Sequence, residues 1–123
     1  MSEVPAFPFG FLVAEHDVRH QRVIEVSPQG KITHCYDCDD LPLDVDLRDD
    51  GHVLLTTRRA VIELNPQWKE IRRYTIDDVF VSAAQFLESA QVLVADTSRA
   101  QVYVLDRNHR VLRAIDVTRS ADL

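Results

Sequence analysis

Short apolar runs recur along the chain and are separated by polar residues. The first set of runs lies at residues 11–14, 53–56 and 92–95, and each run is bounded by polar positions. A second apolar run follows each of them, at residues 22–26, 60–64 and 101–105. Runs of this length are typical of β-strands that are buried on both faces. The pattern therefore predicts three pairs of buried strands.

Each second run ends in a tight turn. The turns lie at residues 27–30, 65–68 and 106–109, and they begin with Ser27, Asn65 and Asp106. A side chain of this type can accept hydrogen bonds from its own backbone two residues on, which favours a turn. Each turn is therefore predicted to close a hairpin.

A strand of mixed character is predicted after each turn, and a further strand begins the second and third units. The mixed strands lie at residues 32–36, 71–76 and 111–117, and the further strands lie at residues 43–47 and 81–86. Charged residues such as Arg72, Arg73 and Arg113 interrupt the mixed strands, as is typical of an exposed outer strand. The order in each unit is thus an inner strand, two buried strands and an outer strand.

The unit repeats with a period close to 40 residues. Val23, Val61 and Val102 occupy corresponding positions, spaced by 38 and 41 residues. Four strands in such a period are typical of a β-propeller blade. An antiparallel sandwich and a β-solenoid are the competing architectures, but a sandwich has no reason to repeat its turns and most solenoid coils are shorter.

The sequence therefore predicts an all-β chain of about three propeller blades, each of four antiparallel strands. The whole of 1–123 is predicted to be one repeat domain, a partial or half propeller. Blade 1 takes about 1–38 and lacks most of its inner strand, blade 2 takes about 39–77, and blade 3 takes about 78–120.

The blade pattern resembles that of the NHL, PQQ-like and arylsulfotransferase-like propellers. The resemblance rests on residues 12–15 (LVAE), 23–26 (VIEV), 28–31 (PQGK) and 47–54 (LRDDGHVL), and it covers nearly the whole chain. It implies a propeller fold but no particular ligand, because these families share a blade pattern while they differ in function. Catalysis in the arylsulfotransferase-like enzymes is attributed to histidine and arginine near the channel, and no such motif is matched here residue by residue.

Composition and charge exclude several classes of function. The chain has 123 residues, of which 46% are hydrophobic and 28% charged, as expected for one globular domain. The formal charge of -6 argues against a phosphate-backbone surface, so nucleic acid is not predicted as a partner. There is no apolar run long enough to span a membrane, and Met1 to Val4 lack the start of a signal peptide. We therefore expect a cytoplasmic protein without a membrane partner.

Three blades are fewer than the roughly four to eight of a closed ring. The sequence therefore predicts that a homodimer completes a six-bladed ring, or that a longer parent chain supplies further blades. Two apolar faces would otherwise lack a neighbour. One is predicted around Phe11, Val13, Val23 and Ile24, and the other around Val92, Val94, Val102 and Val104.

The loops between the two buried strands of each unit all contain arginine, which is suited to binding carboxylate, phosphate or sulfate. In a propeller these loops share one face with the crossovers between blades. The candidate ligand-binding residues are His16, Arg19, His20, Arg58, Arg59, Asp96 and Arg99. The sequence favours the plainer interpretation, in which solvated loops carry charge and the acidic crossovers, such as Asp39 and Asp40, pair with these arginines.

Neither a metal nor a cofactor is assigned from the sequence. His16 and His20 lie in a predicted loop, so their spacing does not place them on one helix face. Cys35 and Cys38 form a C-x-x-C without a second pair, and we interpret them as ordinary reduced thiols. Trp68 stands in a hairpin turn, where it would either contact a partner or fold over a neighbouring strand.

Two classes of function stay open. The first is a non-enzymatic binding or scaffolding module that takes a small anionic ligand or a protein partner. The second is part of a propeller enzyme, a hydrolase or a sulfotransferase-like transferase, whose other active-site groups lie on other blades. The sequence favours the binding module and assigns no catalytic residue.

Overall fold

The computed structural model of the chain describes residues 10–17, 19–75 and 81–117. These residues form eleven strands in three antiparallel sheets, and a short 3₁₀ turn (Glu88–Ala90) connects two strands of the third sheet. Sheet 1 contains β1 (Phe11–His16), β2 (Gln21–Val26) and β3 (Ile32–Asp37). Sheet 2 contains β4 (Pro42–Leu47), β5 (Val53–Thr57), β6 (Ala60–Leu64) and β7 (Glu70–Thr75). Sheet 3 contains β8 (Val81–Phe86), β9 (Val92–Asp96), β10 (Gln101–Leu105) and β11 (Val111–Asp116).

Within each sheet, every strand pairs with its neighbours in sequence, so each sheet is a simple meander. Sheets 2 and 3 have the strand order predicted for a propeller blade, from inner strand to outer strand. Blade 1 is predicted to lack most of its inner strand, and this stays a prediction because residues 1–9, where that strand would begin the unit, lie outside the described residues. No helix in the described part of the chain is long and apolar enough to cross a membrane.

The hairpin turns between the third and fourth strands of each unit have the chemistry that the sequence predicts. Oγ of Ser27 accepts hydrogen bonds from the backbone of Gln29 and Lys31, at 3.3 and 3.2 Å. The side-chain oxygens of Asn65 and Asp106 accept the two equivalent bonds in their own turns. The prediction of three equivalent turns is confirmed.

The fourth residue of each of these turns has a positive φ. The angles are 82° at Gly30, 63° at Trp68 and 62° at His109. This left-handed conformation costs a residue with a Cβ atom some energy, whereas glycine adopts it freely. Trp68 and His109 are both buried, so we infer that their contacts offset the cost.

The register repeats from sheet to sheet. Each strand that follows an arginine loop contains one β-bulge, and the bulges come directly after Glu25, Glu63 and Val104. Glu25, Glu63 and Val104 are therefore equivalent positions. The equivalence of Val23, Val61 and Val102, two residues earlier, follows from the same register.

The core lies between adjacent sheets in two clusters. Val23 of sheet 1 packs with Leu55 and Ile62 of sheet 2. Leu54 of sheet 2, on the opposite face, packs with Val92 of sheet 3. Sheet 2 therefore has a neighbouring sheet on both faces.

The predicted composition of the two open faces is wrong in part. Val23, Val92 and Val94 are fully buried against sheet 2 and do not belong to an open face. Because side chains alternate along a strand, an apolar run supplies both faces of its sheet. We call the face toward the next sheet the forward face, and in sheet 3 it carries Leu93, Ala95, Val102 and Val104. The opposite, rear face of sheet 1 carries Phe11, Val13, Ile24 and Val26.

Candidate functional site

The candidate residues lie at the connections from β1 to β2, from β5 to β6 and from β9 to β10. We call these connections loops 1, 2 and 3. His16 is the last residue of β1 and Asp96 is the last residue of β9, so the loops are shorter than the sequence indicates. β8 begins at the same end of the sheets, because the Val81 N–H donates to the carbonyl oxygen of Arg58 at 3.0 Å.

Loop 1 is fixed by Asp17. One oxygen of this carboxylate accepts hydrogen bonds from the backbone N–H groups of Arg19 and His20, at 2.7 and 2.8 Å. These bonds hold the pKa of Asp17 below its ordinary value. Arg19 and His20 are exposed, and they line an open, polar cavity of about 380 Å³ together with Gln21 and Asp37.

Loop 2 is fixed by an ion pair. Nε and Nη2 of Arg58 both donate to Oδ1 of Asp40, in the crossover that precedes sheet 2, at 2.9 and 2.7 Å. Burial would raise the pKa of Asp40, but the Leu41 N–H and the Arg58 guanidinium hold it below its ordinary value. The pairing of an arginine with an acidic crossover, which the sequence favours, is therefore present at Arg58. The Arg58 side chain is still 48% exposed.

Loop 3 is fixed by Asp96, which is buried. One of its oxygens accepts hydrogen bonds from the Ser98 hydroxyl at 2.8 Å and from the Arg99 N–H at 3.1 Å. The other oxygen lies 3.2 Å from the Tyr103 hydroxyl. Asp96 therefore holds the loop, while Arg99 remains exposed.

The three loops thus share one design, in which a carboxylate orders the backbone or a side chain and at least one arginine is exposed. His16 and Arg59 are exposed at the same connections. The contacts described above tie loop 1 to itself, loop 2 to the Asp40 crossover and loop 3 to its own strands. Convergence of Arg19, Arg58 and Arg99 on one ligand therefore stays a prediction.

A buried ionic cluster that the sequence analysis missed lies between sheets 2 and 3. The carboxylate of Glu63 is 2% exposed and lies 2.8 Å from His52 Nδ1, 3.2 Å from Arg72 Nη1 and 3.3 Å from His109 Nε2. Arg48 is further away, at 3.8 Å. Burial would raise the pKa of Glu63, but the histidine and arginine donors hold it below its ordinary value. The sequence signal was a glutamate inside an otherwise apolar strand.

The remaining candidates have structural partners. Trp68 is 8% exposed and stacks on His34 of sheet 1, with the ring centroids 5.2 Å apart, so it folds over a neighbouring strand. Cys35 and Cys38 are both free thiols. Burial and the charges of Asp39 and Asp37 raise the pKa of Cys38 to about 11. Within the described ranges, three or more His, Cys, Asp or Glu residues are nowhere grouped so as to hold a metal ion.

Comparison with known proteins shows similarity in structure alone, since no protein-family model and no curated protein matches the sequence. BamB from Moraxella catarrhalis is similar with a TM-score of 0.69 and 18% identity, over 92% of this chain and 34% of that chain. Virginiamycin B lyase from Staphylococcus aureus gives 0.65 and 10%, over 79% of this chain and 34% of that chain. The Pan2 WD40 domain of Neurospora crassa gives 0.62 and 9%, over 77% and 30%.

The chain spans about a third of the length of these solved structures. All three are β-propellers, and at these identities the similarity shows the fold alone. The predicted all-β fold of propeller blades, present here as part of a propeller, is therefore confirmed.

Proposed function

We propose that the chain supplies three blades of a closed β-propeller that acts as a binding module. Its loop face binds an anionic group, carried by a small ligand or by a protein partner, through Arg19, Arg58 and Arg99. The resemblance of the blades to NHL, PQQ-like and arylsulfotransferase-like propellers agrees with this role, because in a propeller such loops surround the mouth of the channel, where a ligand can bind.

The carboxylates that fix the three loops carry the proposal. Asp17, Asp40 and Asp96 accept hydrogen bonds from backbone or side-chain groups of the loops themselves. Loops that are ordered before binding lose little conformational entropy when a ligand arrives. Arginine matches the geometry of carboxylate, phosphate and sulfate with paired N–H donors.

Asp40 gives the site a distinctive property, because it competes with the ligand for Arg58. An incoming anion has to replace a charge-assisted pair whose two bonds are 2.9 and 2.7 Å long. Asp40→Asn removes the competing charge and leaves an oxygen of similar size. We therefore expect this variant to bind an anion more tightly than the native chain.

The test is a titration of the native chain with inorganic sulfate and phosphate. Calorimetry measures the binding, and the melting temperature shows whether the anion stabilises the fold. Arg19→Ala with Arg99→Ala should weaken binding at least about tenfold and flatten its dependence on salt. The matched control is Arg107→Ala with Arg110→Ala. These exposed arginines lie on the β10–β11 turn, at the opposite end of sheet 3, and their loss should leave binding unchanged.

Equal binding by the native chain and the loop double variant would reject the anion site. The enzyme alternative has its own outcome in the same experiment. Hydrolysis of an aryl sulfate or aryl phosphate by the native chain, lost in the loop double variant, would replace the binding module with a propeller hydrolase.

A further inference from the structure

At each junction between neighbouring sheets, a position on one sheet meets a position on the next sheet, and both positions recur from unit to unit. One is the residue before the bulge on a forward face, which is Glu25, Glu63 or Val104. The other is the left-handed turn residue of the following sheet. The turn residue is Gly30 in sheet 1, Trp68 in sheet 2 and His109 in sheet 3.

Both internal junctions place a large turn side chain over a glutamate or its partner. At the first junction Trp68 stacks on His34, which lies 2.9 Å from the carboxylate of Glu25. At the second junction His109 lies 3.3 Å from the carboxylate of Glu63. The turn side chain and the glutamate therefore belong together.

The two open faces have each lost one half of this arrangement. The forward face of sheet 3 has Val104 where the other sheets have glutamate. The turn of sheet 1 has Gly30, and no atom of the described residues lies within 4 Å of the position that a Cβ atom would occupy there. A face without the carboxylate and a turn without a side chain fit each other, because neither leaves a polar group unpaired.

A second pair of positions also differs between an internal junction and the two open faces. At the first junction the Tyr36 hydroxyl donates to the Glu70 carboxylate at 3.0 Å. In the repeat register the forward position of Tyr36 corresponds to Ile115, and the rear position of Glu70 corresponds to Ile32. Ile115 and Ile32 are 37% and 53% exposed, so an apolar residue is exposed on each open face where the first junction has a polar pair. At the second junction the equivalent residues are Tyr74 and Val111, so the polar pair belongs to the first junction alone.

We propose that a second copy of this chain covers both open faces. The rear face of sheet 1 in each copy packs on the forward face of sheet 3 in the other copy. This inference rests on the closed propeller proposed above. Two head-to-tail junctions related by a two-fold axis make a ring of six blades, which is within the usual range. Blades from an unrelated segment would give no reason for the matched changes at Val104 with Gly30 and at Ile115 with Ile32.

The test uses opposite charges at the predicted contact. Ile115→Lys and Ile32→Glu are made in separate chains, and molecular mass is measured by sedimentation and by light scattering. The native chain should have twice the mass of one 14.1 kDa chain. Each variant alone buries an unpaired charge at both junctions and should run as a monomer.

An equimolar mixture of the two variants gives the decisive result. In a mixed pair one junction joins the lysine to the glutamate, and the other keeps the two native isoleucines. The mixture should therefore recover the doubled mass that neither variant has alone. Ile71→Lys is the matched control, because Ile71 is 40% exposed on the outer strand of the middle sheet, away from the junction, and should leave the mass unchanged.

A native chain that remains at 14.1 kDa over a wide range of concentration overturns the inference. A doubled mass that survives both variants, or that Ile71→Lys also abolishes, overturns it as well. The anion titration tests the arginines of the loop face, which are separate from the junction residues. A chain that binds sulfate as a monomer therefore rejects the second copy without rejecting the anion site.

Discussion

Sheets 2 and 3 have similarly apolar central strands but different patterns of burial. Every residue of β5 and β6 is buried. In β9 only alternate residues are buried, and in β10 only Tyr103 and Leu105 are. Sheet 2 has a sheet on each face, whereas sheet 3 has a described neighbour on its rear face alone. The comparison shows that an apolar run on both faces of a strand indicates two neighbours, and that the second has to come from elsewhere for sheet 3.

The largest expected effect comes from one leucine at the same blade position in the two sheets. Leu54 pairs with Glu63, and Leu93 pairs with the equivalent Val104. Leu54 is fully buried, whereas Leu93 is half-buried. Leu54→Ala should lower the free energy of unfolding by about 2–5 kcal/mol, since it opens a cavity in a packed core. Leu93→Ala should cost only about 1 kcal/mol in a monomer.

Urea denaturation at low protein concentration, followed by circular dichroism and by the fluorescence of Trp68, measures both effects. Trp68 is the single tryptophan of the chain and reports on the junction between sheets 1 and 2. The cost of Leu93→Ala should rise with protein concentration if a second copy covers it. Equal costs for the two leucines at every concentration would contradict the comparison.

A smaller effect is expected from the glutamates at equivalent positions. Glu63 is 2% exposed between two sheets, whereas the side chain of Glu25 is 33% exposed. Glu63→Gln should lower the free energy of unfolding by about 3 kcal/mol, because it leaves buried His109 and the partly buried His52 and Arg72 without their anion. Glu25→Gln should change it by less than about 1 kcal/mol, as is usual for an accessible ion pair.

The buried carboxylate of Glu63 also predicts that the stability of the fold depends on pH. The folded pKa of Glu63 is lower than its ordinary value, so its stabilising contribution is complete above the ordinary value. The contribution is lost as the pH falls through the folded pKa. Melting temperatures of the native chain and of Glu63→Gln, measured from about pH 7 to about pH 3, should therefore converge in acid. A constant gap between the two curves would contradict a role for the Glu63 charge.

The smallest effect is expected from the two thiols, which differ in exposure in the same way. Cys35 is exposed, whereas Cys38 packs against the cluster between sheets 1 and 2 and has a pKa of about 11. At about pH 8, iodoacetamide should modify Cys35 and largely spare Cys38. Cys35→Ser with Cys38→Ser should change stability by no more than about 1 kcal/mol. Mass spectrometry after timed labelling checks the first point, and fast labelling of Cys38 would contradict it.

Much of the local structure could be predicted from the sequence, because it depends on residues close together in the chain. The turn at Asn65 forms through its own side chain, and the strand that precedes it follows from a short apolar run. The candidate site was less predictable. The arginine loops were placed correctly between strands, but the roles of Asp96 and Asp17 as carboxylates that fix the loops depend on backbone geometry that composition does not give.

By itself, the sequence determined the strands, the hairpin turns and a repeat of about 40 residues, because these follow from hydrophobic periodicity and from side chains that bond their own backbone. The tertiary structure alone decided which face of each strand is covered. It also brought His109 to Glu63, Trp68 to His34 and Arg58 to Asp40, across separations of 46, 34 and 18 positions. These contacts join different sheets, or a sheet to a crossover, and packing between blades sets them through distances that no short stretch of sequence encodes.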